Sequence, residues 1–85
     1  MKQFEYTITE PVGIHARPAS ILVKKAVSYE STVILGKNGK TTDAKRLMAL
    51  MALGIKCGDK VIFTIEGKDE EAAACDLEEF CKNNL

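Results

Sequence analysis

This 85-residue chain has no tryptophan and one histidine, and its net charge is zero. Each shortage excludes something. Twelve acidic residues balance twelve basic ones, which argues against a general nucleic-acid-binding surface. No apolar run approaches the ~20 residues that a membrane span needs. The first residues, Met1-Lys2-Gln3-Phe4-Glu5, lack the apolar stretch of a signal peptide. Cys57, Cys75 and Cys81 are odd in number and lack metal-ligand spacing. They are expected to be reduced thiols of a cytosolic protein, serving mostly as packing groups. Cys75 and Cys81 lie six apart, which puts them on different faces of a helix. The lone His15 has no Cys or carboxylate at ligand spacing, so no metal site and no cofactor is expected. A Ser-His-Asp triad and a Gly-rich phosphate loop are also missing. The length allows one domain, residues 1–85, and there are no repeats, linkers or low-complexity tracts.

What is present centres on Gly13-Ile14-His15-Ala16-Arg17-Pro18-Ala19-Ser20. An apolar-periodic run, Ile21 to Val27, follows, so His15 is expected in a loop at the mouth of a helix. Proline is favoured near a helix start, because its missing N–H has no intrahelical partner there and its φ is already helical. The N–H groups of Ala16, Arg17 and Ala19 are then expected to face an anion near His15. The helix dipole and the Arg17 guanidinium add to that attraction. A neutral imidazole is a competent nucleophile and can carry a phosphoryl group on nitrogen. The bland alternative is a surface histidine beside an unrelated arginine. Gly13, Pro18 and the short His15–Arg17 spacing weigh against it.

Along the chain, Phe4, Tyr6 and Ile8 alternate with polar residues, which predicts a strand. Helix one spans about Ala16 to Val27, with Ala19, Leu22, Val23 and Ala26 as its inward stripe. Thr32-Val33-Ile34-Leu35 is a β-branched strand. Asn38-Gly39 is a hairpin signal, and a short strand, about Lys40 to Thr42, returns from it. Lys45 to Gly54 predicts a second helix, ended by Gly54. Lys60 to Glu66 is an alternating strand with Val61, Phe63 and Ile65 on one side. Asp69 is expected to cap a last helix whose core stripe is Ala73, Ala74, Leu77, Phe80 and Cys81. The order β-α-β-β-α-β-α fits an α+β open-faced sandwich: a four-stranded antiparallel sheet, three helices on one face and solvent on the other.

Leu47 to Leu53 is seven apolar residues in a row. Leu50 and Leu53 are expected to pack inward. One short helix on a small sheet cannot bury its whole circumference, so Leu47, Met48 and Met51 are the excess. Exposed apolar residues rich in methionine suit a docking surface. Lys24, Lys25, Lys37, Lys40, Lys45, Arg46 and Lys56 are read as solvated surface, some of it able to steer an acidic partner.

These motifs together resemble HPr, the histidine-containing phosphocarrier family of the bacterial sugar phosphotransferase system. The resemblance rests on Gly13 to Ala19, on Asn38-Gly39-Lys40, on Lys45 to Gly54, and on Glu66-Gly67-x-Asp69-Glu70. It implies that enzyme I, itself phosphorylated on a histidine by phosphoenolpyruvate, passes a phosphoryl group to Nδ1 of His15. A IIA domain of a sugar transporter then receives it. Arg17 and the backbone N–H groups of Ala16 and Arg17 would hold the phosphoryl oxygens. Ser20, Leu47, Met48 and Met51 would form the docking surface for both partners. The implied protein is a stoichiometric carrier rather than a turnover enzyme, monomeric and cytoplasmic, with no cofactor.

One departure concerns regulation. Relatives in low-GC Gram-positive bacteria carry a kinase-phosphorylated serine just before the Leu-Met run. Arg46 stands at that position and has no hydroxyl to phosphorylate. A smaller departure is the apolar Val12 before the Gly-Ile-His motif. A regulatory binding protein without flux through His15 is the alternative; retention of His15 and Arg17 argues against it. An RNA-binding domain would need aromatic residues on an open sheet face, whereas Phe4, Tyr6 and Phe63 share the inward phase.

Overall fold

The computed structural model describes residues 1–85. The elements are β1 (Lys2–Thr7), α1 (Ala16–Val27), β2 (Thr32–Lys37), β3 (Lys40–Asp43), α2 (Leu47–Ala52), β4 (Lys60–Glu66) and α3 (Glu70–Asn84). The strands form one antiparallel sheet in the order β1-β4-β2-β3. β4 therefore lies between β1 and β2, with Phe63 opposite both Phe4 and Leu35.

Alternation places Val33, Leu35, Val61, Phe63 and Ile65 in the core beneath the helices. Ala19, Leu22 and Ala26 reach it from α1, and Ala73, Leu77, Phe80 and Cys81 from α3. Val23 and Ala74 are half-buried at its edge. Phe4 and Phe63 stack with centroids 4.8 Å apart, a pairing worth about 0.5–1.5 kcal/mol beyond burial. The aromatic residues thus sit on the covered face, as the sequence pattern indicated. At the β2–β3 turn, Asn38 and Gly39 have φ values of 52° and 81°, the doubly positive geometry of a tight hairpin.

Several expectations need correction. α2 is shorter than Lys45–Gly54. The Asp43 carboxylate accepts the Lys45 N–H at 2.9 Å and the Asp43 carbonyl accepts the Arg46 N–H at 3.1 Å. That turn delays the helix until Leu47. Asp69 precedes α3, but its side chain does not cap it. Instead the carboxylate accepts the Glu30 N–H at 2.9 Å, the Ser31 N–H at 3.0 Å and the Ser31 hydroxyl. Cys81 is buried, and burial with nearby Glu78 pushes its thiol up to about 12. Cys57 and Cys75 are exposed, so they do not pack as expected.

Candidate functional site

The loop before α1 is fixed by its backbone. The Gly13 N–H donates to the Glu10 carbonyl at 2.9 Å, and the Ile14 N–H donates to the Ile55 carbonyl at 3.1 Å. Gly13 has φ 77°, and a Cβ there would lie 2.5 Å from the Ile55 carbonyl oxygen. Only glycine combines that conformation with that approach. Ile14 is buried, so its side chain anchors the loop while the next residue, His15, remains exposed.

His15 is the N-cap of α1, in extended conformation with φ −99° and ψ −171°. Its side chain caps nothing. Its carbonyl accepts the Ala19 N–H at 2.9 Å. This corrects the expectation for Ala19, whose N–H is spent inside the helix. Pro18, third in the helix, has no N–H. The N–H groups of Ala16 and Arg17 remain and donate to nothing in the chain. No acidic residue lies in the first turn. The positive end of the helix is thus left open to an anion.

Arg17 is exposed and enters none of the ion pairs. It lines a depression of about 260 Å³ with His15, Pro18, Ile21, Glu10 and Asn84. The structure therefore brings His15 and Arg17 to one hollow. Glu10, Ile21 and Asn84 were not singled out from the sequence. Asn84 lies at the far end of the chain, and no local pattern links it to His15. It arrives because the end of α3 returns to the loop after β1, where the Thr9 and Glu10 N–H groups donate to the Leu85 carbonyl.

The apolar α2 lies against α1. Leu50 is buried, while Met48 is 78% exposed and Met51 is 39% exposed. Leu47 and Leu53 are half-buried and pack against the core. Leu47 is thus only partly the excess it was expected to be, and Leu53 is only partly inward. Ser20 is exposed on α1. Arg46, the N-cap of α2, is exposed, makes no side-chain cap and adopts extended backbone. The basic residues divide. Lys45 donates to the Tyr29 carbonyl at 3.0 Å, and Lys37 donates to the Gly54 carbonyl and pairs with Asp59, both at 2.8 Å. These two hold loops together rather than standing free in solvent.

The family model described as "PTS HPr component phosphorylation site" matches residues 2–83. The chain belongs to the HPr family. Within that family, the phosphocarrier protein HPr of Mycoplasma genitalium is 38% identical over 85 residues, covering 99% of this chain and 97% of that protein. The Borreliella burgdorferi protein is 41% identical over 71 residues, covering 84% and 83%. A solved structure of HPr from Thermoanaerobacter tengcongensis superposes with a TM-score of 0.93 at 35% identity, covering 96% of this chain and 92% of that one. HPr proteins are phosphocarriers of the phosphotransferase system. No helix of this chain is long and apolar enough to cross a membrane.

Proposed function

We propose that the chain carries a phosphoryl group on His15, taken from phosphorylated enzyme I and delivered to IIA domains. The observation that carries this reading is the open start of α1. An exposed imidazole stands beside two free N–H groups and an unpaired guanidinium. The ring's Nδ1 is nearer the backbone than Nε2, so a phosphoryl group on Nδ1 lies closer to the Ala16 and Arg17 N–H groups. Those donors and the Arg17 side chain neutralise the oxygens as the group arrives in line. One N–P bond breaks on the donor's histidine and one forms on His15. The imidazole is regenerated when the group moves on, so the protein is a stoichiometric carrier.

Met48 and Met51 form the apolar centre of the docking surface, with Leu47 at its half-buried base and Ser20 on the neighbouring helix. Arg46 contributes a fixed positive charge at its edge, and no serine there answers a kinase. The carrier acts as a monomer, since donor and acceptor use the same patch in turn.

Incubation with phosphoenolpyruvate, enzyme I and a IIA domain tests this reading. Wild type should take up acid-labile, alkali-stable phosphate and lose it to IIA, while His15→Ala takes up none. Uptake by His15→Ala equal to wild type would exclude His15 as the carrier.

A further inference from the structure

The His15 hollow contains one group that opposes its use. Arg17 and the open start of α1 attract negative charge, yet Glu10 lines the same hollow and brings negative charge of its own. Glu10, His15 and Arg17 are the only ionisable residues around it; Pro18, Ile21 and Asn84 complete the lining.

Glu10 is held where it stands. Its N–H donates to the Leu85 carbonyl at 2.7 Å, and its carbonyl accepts the Gly13 N–H at 2.9 Å. The second bond closes a turn from Glu10 to Gly13. Pro11 takes the second position of that turn, where its fixed φ is favoured. Glu10 is half-buried, and its carboxylate enters none of the ion pairs. Arg17, the cation on the same hollow, is unpaired as well. The hollow is only about 260 Å³. Salt screens charges from one another only beyond ~8–10 Å, so the Glu10 charge acts on an anion bound there without touching it.

A carrier has to release what it accepts. Two N–H groups and a guanidinium around a phosphoryl group strengthen its hold. A carboxylate on the same hollow weakens it. Before phosphorylation Glu10 offsets the Arg17 charge. Afterwards it faces a second, doubly negative group that competes for the same guanidinium.

We propose that Glu10 raises the phosphoryl-transfer potential of His15, its carboxylate repelling the bound phosphoryl group across the shared hollow so that the group passes on rather than stays. This rests on His15 being the phosphoryl-bearing residue and names what governs release from it.

Phosphoramidate, a small phosphoryl donor, tests this without enzyme I. Its N–P bond breaks as an N–P bond to the imidazole forms, and its nitrogen leaves as ammonium with the imidazole proton. With phosphoramidate and ammonium at equal concentrations, phosphorus NMR against total protein gives the ratio of phosphorylated to free His15. Glu10→Gln should raise that ratio about fivefold, the scale of one charge acting on a doubly charged group across a solvated hollow. Glu10→Asp keeps the charge and should stay within about twofold of wild type. In ~1 M salt, where the screening length falls to ~3 Å, the Glu10→Gln difference should shrink below about twofold. A difference caused by altered loop structure would persist in salt. An unraised ratio in Glu10→Gln, a difference indifferent to salt, or Glu10→Asp behaving like Glu10→Gln would each overturn the proposal. A protein that loads His15 from phosphoramidate but takes nothing from phosphorylated enzyme I would end the relay reading and leave the Glu10 comparison to decide this one. Absence of phosphohistidine from wild type and both variants would overturn the two together.

Discussion

The starts of α1 and α3 are opposites. At α3, Glu70 and Glu71 occupy the first turn. The Glu70 carboxylate accepts the Gly67 N–H at 3.2 Å and pairs with the Met1 amino group at 2.7 Å. The amino group, and after it the Gly67 N–H, hold that carboxyl below its usual range. Asp69 is held low as well, first by the Ser31 hydroxyl and then by the Glu30 N–H. At α1 there is no acid in the first turn and no side-chain cap, and Ala16 and Arg17 offer unused N–H groups. The start of α3 is filled from within the chain, which stabilises the fold. A start that is left unfilled costs stability and keeps donors available for an external anion.

The contrast can be broken from either side. Arg17→Ala should have the largest effect, slowing phosphoryl transfer about a hundredfold, as for removal of one preorganised donor to transition-state charge. Because Arg17 is exposed and unpaired, its thermal midpoint should match wild type. Next is Asp69→Asn, read on stability. It weakens the acceptor of three hydrogen bonds that join the start of β2 to the start of α3. The depressed carboxyl stabilises the fold above the ordinary carboxylate range, and that contribution is lost as pH falls through its lowered folded-state value. Wild type should therefore lose stability steeply on the acid side, and Asp69→Asn should show a lower midpoint and a flatter acid limb in thermal melts. An unchanged acid limb would show that these bonds contribute nothing.

Ala16→Glu makes α1 resemble α3. A carboxylate in the first turn should stabilise the helix by about 0.3–1 kcal/mol while slowing phosphorylation, a change of opposite sign in the two measurements. Both changing in the same direction would remove the idea that the empty start is kept for an anion. The smallest structural effect belongs to Met48→Ala. At 78% exposure its stability should stay within about 0.5 kcal/mol of wild type, while transfer to IIA slows through loss of apolar contact.

Much of this contrast was legible in the sequence. Gly13, His15, Arg17 and Pro18 lie within one loop and one turn, so local spacing placed them together. The alternation of Val61, Phe63 and Ile65 and the stripe of Ala19, Leu22 and Ala26 located the core for the same reason. What escaped depends on contacts between distant segments. The β1-β4-β2-β3 order, Asn84 beside His15, and Asp69 reaching Ser31 join residues that no periodicity relates. α2 is shorter than its apolar pattern because the Asp43 turn is followed by extended backbone at Arg46, and helix propensity does not register such a turn. The exposure of Cys57 and Cys75 is not legible in composition, which says how often cysteine is buried and nothing of which face a given one occupies.

The central claim is that the empty start of α1 exists to hold a phosphoryl group on Nδ1 of His15. Nitrogen NMR of the His15 ring, recorded before and after incubation with phosphoenolpyruvate and enzyme I, tests it most directly. The account predicts coupling of phosphorus to Nδ1, with chemical-shift changes at the Ala16 and Arg17 amides. An unchanged His15 ring while phosphate appears on another residue would contradict it.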